Sequence, residues 1–199
     1  DAFALQFVDQ IKSLGRHIVT VSGSGNQDAD YFADHVQLDQ FQGTGFKLNS
    51  PQGALTIKLQ VPGKHNVNNA MAAAAMAMTA GAGLDAVKAG LEQFAAVKGR
   101  MCIVAGIHGA TLIDDSYNAS PTSFRAAIDV LAETNGSRIV VMGDMGELGS
   151  DAEKEHAGIG RYAKQQGIDC LIALGEMSAL AVTAFGDGSI YLNERDEFK

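Results

Sequence analysis

The sequence predicts an α/β protein in two parts, and three observations carry that prediction. From residue 101 onward, short apolar runs alternate with longer segments of helical period. Before residue 64, strand-like stretches follow one another without a helix between them. After Pro62-Gly63 the period changes abruptly to that of a helix. Repeated βα units imply a parallel sheet with helices on both faces. Consecutive strands joined by tight turns read as hairpins.

In chain order, residues 1–15 read as a helix, with Phe3, Phe7, Ile11 and Leu14 at three- and four-residue spacing. RHIVTVSG, residues 16–23, reads as a buried strand. ADHVQLDQFQ (33–42), GTGFKLNSP (43–51) and GALTIKLQVPG (53–63) read as three more. Ser50-Pro51-Gln52-Gly53 is a tight-turn sequence that joins the last two as a hairpin. HNVNNAMAAAAMAMTAG is a strong helix former that stops near Gly81 or Gly83, and LDAVKAGLEQF is a shorter helix. Then come strand-like MCIVAG and ATLIDD, helix SPTSFRAAIDVLAETNG and strand RIVVMGD. Helix SDAEKEHAGIGRYAKQQG, strand CLIAL, helix EMSALAVTAFG and strand SIYL complete the series. The joint near VKGRM, residues 97–101, is the candidate domain boundary.

Composition excludes several classes. At 46% hydrophobic residues in 199, the chain can bury a core. Its charge of −8, with no block of lysine or arginine, argues against binding a nucleic-acid backbone. Cys102 and Cys170 sit in apolar runs and read as reduced core residues, which fits a cytoplasmic protein. DAFALQFVDQ carries acids where a signal peptide has a basic region. The longest apolar run, residues 70–83, is shorter than the roughly 20 residues that span a bilayer, and reads as a packed helix. The start enters mid-helix and the end stops just after SIYL, so the chain reads as a piece of a longer protein.

Three stretches concentrate polar groups. In IDDSYNASP, residues 113–121, Ser120-Pro121 fits a helix N-cap followed by proline at the first helical position. Asp114, Asp115, Ser116, Tyr117 and Asn118 remain. They read either as a hydrogen-bonded turn or as a site at the carboxyl end of a parallel strand, where open α/β sheets bind ligands. In GKHNVNNAMAAAA, His65 or Asn66 can cap the helix. Asn66 and Asn69 also share one face of its first turn, and an amide with donor and acceptor suits the edge of a purine base. In VVMGDMGELGSDAEKEH, Ser150 and Glu153 have capping-box spacing. The cap leaves Asp144 and Glu147 of GDMGELG unexplained, in a loop expected beside the first one on the same sheet edge.

The five histidines show no metal spacing, and neither HExxH nor CxxC occurs. No GxSxG elbow and no GxxxxGK[ST] phosphate loop is present. SGSGNQD, residues 22–28, is followed by strand rather than helix and resembles a phosphate loop only superficially.

PGKHNVNNAMAAAAMA, VKGR, LIDDSYNASP and VMGDMGELG, in that order and at these intervals, resemble the Mur ligases of peptidoglycan synthesis. The DDSYNASP and GDMGELG pair is most similar to the branch that adds D-Ala-D-Ala to UDP-N-acetylmuramoyl-tripeptide. The resemblance implies residues 1–100 as the latter part of a P-loop-type central ATPase domain. It implies residues 101–199 as a Rossmann-like C-terminal domain cut at its end. The P-loop lysine and threonine, the magnesium-binding glutamate and histidine, and a carbamylated lysine would all precede Asp1.

By position, Asn69 resembles the family asparagine that contacts adenine, and Asn66 shapes that helix start. Arg100 resembles the arginine that contacts ATP, and Asp115 the aspartate that closes on the nucleotide; both are expected in the catalytic machinery. Tyr117 and Asn118 fall where the loop meets ATP and the incoming dipeptide, with Ser120 beside them. At 120 the family often has asparagine or another small polar residue. The implied activity is ATP-driven, Mg2+-assisted amide formation through an acyl phosphate, in a cytoplasmic monomer that neither enters the membrane nor binds nucleic acid, with this segment inactive alone. Another Mur or folylpolyglutamate-type ligase, or a non-catalytic α/β binding module, are the alternative readings.

Overall fold

The computed structural model describes residues 4–39 and 43–194. Phe3 of the predicted first helix, residues 40–42 of the predicted strand 33–42, and the stretch after Glu194 lie outside the described residues. Two compact units emerge: one reaches to Phe94 and the other begins at Ala95, with residues 61–63 grouped with the second.

In the first unit, helix α1 (Ala4–Ser13) carries Leu5 and Phe7 as exposed side chains. The predicted strand 16–23 shrinks to β1 (Val21–Ser22), which pairs in parallel with the start of β2 (Tyr31–Asp39). The reason is a contact between Thr20 and Asp30. Thr20 gives both its N–H (2.8 Å) and its hydroxyl (2.7 Å) to the Asp30 carboxylate, so a side chain takes the donor that a longer ladder would need.

Strands β2, β3 (Gly43–Ser50) and β4 (Gly53–Leu59) form an antiparallel meander. The β3–β4 turn is the predicted one. Ser50 pairs with Gly53, and the Ser50 hydroxyl donates to the Gly53 carbonyl at 2.8 Å. Helices α2 (Lys64–Thr79) and α3 (Leu84–Gln93) pack on this sheet. Helix α2 buries Val67, Ala70, Met71, Ala74, Ala75 and Met78, the stripe that a 3.6-residue period turns to one side. Full burial of Val67 or Met71 contributes about 1.5–3 kcal/mol each, and the alanines let the helix lie close to the sheet. Because α2 starts at Lys64, His65 and Asn66 stand inside its first turn rather than at the cap.

In the second unit, β5 (Cys102–Ala105) and β6 (Thr111–Asp114) form an antiparallel pair. This corrects the expectation that both belong to a parallel series. Only a short 3-10 turn, Ile107–Gly109, separates them, closed by Gly106 N–H to the Ala110 carbonyl at 2.8 Å. A parallel crossover needs a dozen residues or more.

Beyond them come α4 (Pro121–Ala132), β7 (Ile139–Met142), α5 (Ala152–Gln165), β8 (Cys170–Leu174), α6 (Ser178–Phe185) and β9 (Ser189–Leu192). Strands β7, β8 and β9 form a parallel sheet in that order. Val140, Met142, Leu171 and Ala173 on one face join Ile128 of α4, Ile159 and Ala163 of α5, and Ala181 and Phe185 of α6 in a single core. Gly160 makes this possible, since a Cβ there would collide with the Ala181 backbone of α6.

The described helices cover one face only. Ile139 and Val141 on the other are 51% and 53% exposed. Right-handed crossovers that advance β7 to β8 to β9 without reversal put every connecting helix on the same side. The cysteines also differ from expectation. Both are free thiols, half-buried rather than fully enclosed. Among the described residues no helix is long and apolar enough to cross a membrane.

Candidate functional site

The second unit folds the segment 99–101 back onto the loop 114–118. Gly99 lies at φ +78°, and a Cβ there would sit 3.1 Å from the Tyr117 nitrogen, so only glycine lets the two backbones meet. Across that gap the Tyr117 N–H donates to the Gly99 carbonyl at 2.9 Å. Met101, buried and in the left-handed region at φ 51°, donates its N–H to Asp115 Oδ1 at 3.0 Å. Between these two bonds the Arg100 side chain emerges. Its guanidinium carbon stands 4.1 Å from the centroid of the Tyr117 ring.

The loop itself is held by side chains turning back on the backbone. Asp114 Oδ1 accepts the Ser116 hydroxyl at 2.6 Å and the Ser116 N–H at 3.2 Å. The hydroxyl first, and then that amide, hold the Asp114 carboxyl below its ordinary value of 3.8. Asn118 Oδ1 accepts the Ala119 N–H at 2.8 Å. Ser120 caps α4 as expected: its hydroxyl accepts the Ser123 N–H at 3.2 Å, and the Ser123 hydroxyl accepts the Ser120 N–H at 2.9 Å. The partner is a serine where the usual box has Glu or Gln.

Gly99, Arg100, Asp115, Tyr117, Asn118, Ser120 and Ser123 line one concavity of about 250 Å³. Pockets for whole drug-sized ligands run from roughly 300 Å³ upward, so this one suits a part of a ligand, such as a phosphate. Its chemistry is one guanidinium, two serine hydroxyls, a phenol and a carboxamide at the start of a helix, with a carboxylate already committed to a backbone N–H. Arg100, Asp115, Tyr117, Asn118 and Ser120 are therefore brought together. Asn66, half-buried, and Asn69, exposed, stand in the first turns of α2 in the other unit. Sequence reasoning passed over Gly99 and Ser123; the glycine before Arg100 and the Ser-x-x-Ser spacing were the available signals.

In the GDMGELG loop Asp144 has a structural explanation. Asp144 accepts both the N–H and the hydroxyl of Ser178, each at 2.7 Å, and so fixes the start of α6. Met145 is buried, and its N–H donates to His156 Nε2 at 2.9 Å. The Ser150–Glu153 capping box does not form. Residues Gly149–Asp151 make a 3-10 turn before α5, so Ser150 lies inside a turn rather than at the cap. Nor does β6, which carries the other loop, belong to the parallel sheet of β7. What links the two loops is the helices behind them: Arg125 of α4 reaches Glu155 of α5 at 3.4 Å.

In the first unit, the Ser22 hydroxyl of SGSGNQD accepts the Asn26 N–H at 3.1 Å, which ties that loop to itself. Gly23 lies against the Asn68 carboxamide, another contact that the sequence reading did not single out. Among the described residues no three His, Cys, Asp or Glu side chains gather as a metal site.

Residues 1–77 match the family described as Mur ligase middle domain, and residues 99–197 the one described as Mur ligase, glutamate ligase domain. The chain is 42% identical over 167 residues to the UDP-N-acetylmuramoyl-tripeptide–D-alanyl-D-alanine ligase of Escherichia coli (strain K12), across 84% of this chain and 37% of that relative. MurF from Acinetobacter baumannii, a solved structure, matches at 34% identity and a TM-score of 0.88, over 98% of this chain and 41% of that one. A MurF ligase from Thermotoga maritima, solved in complex with ADP, shares the fold at a TM-score of 0.78 and 19% identity, over 98% and 44%. The chain thus spans less than half the length of each of these proteins.

Proposed function

The chain belongs to the Mur ligase family, and from that premise we propose that it is part of an ATP-dependent amide ligase of peptidoglycan precursor synthesis. The reaction proposed for the whole protein joins D-Ala-D-Ala to UDP-N-acetylmuramoyl-tripeptide. ATP phosphorylates the tripeptide carboxylate, and the dipeptide amine then attacks the acyl phosphate with loss of phosphate. Residues 1–100 are taken as the latter part of the central ATPase domain and 101–199 as the C-terminal domain.

One observation supports this reading most: four residues that the family resemblance puts at the nucleotide, Arg100, Asp115, Tyr117 and Asn118, line a single concavity with Ser120, expected beside the dipeptide. Phosphoryl transfer depends on positioning and charge neutralisation more than on covalent help from the protein. Arg100 offers a planar fork of N–H donors suited to phosphate oxygens. Asp115 holds the 99–101 segment so that this fork faces the concavity. Asn118 and Ser120 line the same space, where the dipeptide and the phosphate would meet, and Ser120 also starts α4. Asn69, with Asn66 behind it, is assigned to the adenine edge. A bound Mg2+ would add charge neutralisation at the phosphates. The setting proposed is the cytoplasm, in keeping with two free thiols, and the active form is taken as a monomer.

The test is ATP consumption by the full-length protein. The reading expects turnover only when both the UDP-muramoyl-tripeptide and D-Ala-D-Ala are supplied. Equal turnover with free glutamate or a diamino acid in place of the dipeptide would assign the protein to another branch of the family.

A further inference from the structure

Arg100 and Tyr117 are both solvent-exposed, yet they are stacked. Tyr117 is 67% exposed, so its ring is not there to fill a core. Its backbone is nevertheless fixed by the Gly99 carbonyl, and the residue after Arg100 is fixed by Asp115. Arg100 is thus tethered on both sides by the loop that also supplies the ring lying 4.1 Å from its guanidinium carbon.

The chemistry of that stack is selective. A guanidinium laid on an aromatic face uses its π surface for the contact and keeps its N–H groups in plane, free to donate to an anion. A lysine ammonium has no such division between face and edge. Resting on the reading given above, we propose that Tyr117 is a positioning residue: its ring holds the Arg100 guanidinium in the concavity before a nucleotide phosphate arrives. Tyr117 then acts through Arg100, and its hydroxyl takes no part. The benefit lies in preorganisation, since a long side chain already confined loses less freedom when the phosphate binds.

The experiment uses the full-length protein and the variants Tyr117→Leu, Tyr117→Phe, Tyr117→Trp, Arg100→Ala and the double variant Tyr117→Leu/Arg100→Ala. Calorimetry with a non-hydrolysable ATP analogue gives affinity, and steady-state kinetics give KM for ATP and for the dipeptide separately. Tyr117→Leu is expected to weaken the analogue and raise the KM for ATP by about two- to fivefold, the range of an exposed cation–π contact. The KM for the dipeptide should stay put. Tyr117→Phe should restore the analogue affinity lost in Tyr117→Leu, and Tyr117→Trp should bind the analogue at least as tightly as the wild type. The double variant should bind no more weakly than Arg100→Ala alone, since the ring acts only through that side chain.

A Phe variant as weak as the Leu variant would place the effect in the hydroxyl and overturn the proposal. So would losses that multiply in the double variant, which would make Tyr117 an independent ligand contact. If Tyr117→Leu fails to fold, the Phe and Trp variants decide the matter, and weakened binding by both counts against the ring. Failure of the wild type to couple ATP to dipeptide addition would instead remove the ligase reading, leaving the analogue titrations to judge the stack.

Discussion

The imidazole of His156, fully buried, accepts the Met145 N–H on Nε2 at 2.9 Å and donates from Nδ1 to the Ala152 carbonyl at 2.7 Å. An amide N–H can only donate and a carbonyl can only accept, so these two neighbours select the neutral Nδ1–H tautomer. Through this ring the first turn of α5 holds the loop after β7. His156→Ala should strand the buried Met145 N–H and open a cavity, at a cost of about 2–4 kcal/mol in urea unfolding. A change below about 0.5 kcal/mol, the size of an ordinary surface substitution, would show that the loop does not depend on the ring.

Asp144 gives a prediction in pH. Burial pushes its carboxyl upward, but the Ser178 hydroxyl and the Ser178 amide donate to it and leave it below 3.8. A carboxyl whose pKa is lowered by folding contributes stability that is complete above its unfolded pKa and fades as pH falls towards the folded one. The contribution is therefore lost below about pH 4. Ser178→Ala removes one donor while burial remains, so NMR titration should show the Asp144 pKa moving up. An unchanged midpoint would mean that the hydroxyl does not face the carboxylate in solution.

Gly99→Ala tests the close approach of the two backbones. The left-handed φ of +78° costs an alanine about 1–2 kcal/mol, and its Cβ would press on the Tyr117 nitrogen as well. Thermal unfolding should register that loss, and the affinity for an ATP analogue should fall as Arg100 is displaced. Stability lost with affinity intact would separate this docking from ligand binding.

Ser120 has two candidate duties that substitutions can separate. Ser120→Ala should lower stability by about 0.5–2 kcal/mol through loss of the cap. Ser120→Asp keeps a capping oxygen but places a negative charge in the concavity. It should recover stability while weakening the binding of an ATP analogue. Equal nucleotide affinity in the Asp variant and the wild type would place the phosphate elsewhere.

How legible the molecule was depended on whether the signal was local. The α2 stripe of Val67, Met71, Ala74 and Met78, the Ser50–Gly53 turn and the Ser120-Pro121 start of α4 are each written within a few residues, and each is observed. The antiparallel pairing of β5 and β6 was missed because each alone reads as an apolar run. Its signal was the short Gly106–Ala110 connection, too brief for a parallel crossover. The shortened β1 depends on Thr20 meeting Asp30, ten residues away. His156 had no neighbourhood signature at all, since its partners become visible only when α5 is folded against the loop. At the candidate site, residue types in DDSYNAS pointed to the loop, whereas the docking of 99–101 upon it is tertiary.

The most direct measurement is a crystal structure of the full-length protein with a non-hydrolysable ATP analogue. The ligase reading predicts guanidinium nitrogens of Arg100 about 3 Å from phosphate oxygens, with the adenine edge at the Asn69 carboxamide. A nucleotide bound while Arg100 and the 115–120 loop face bulk solvent would contradict it.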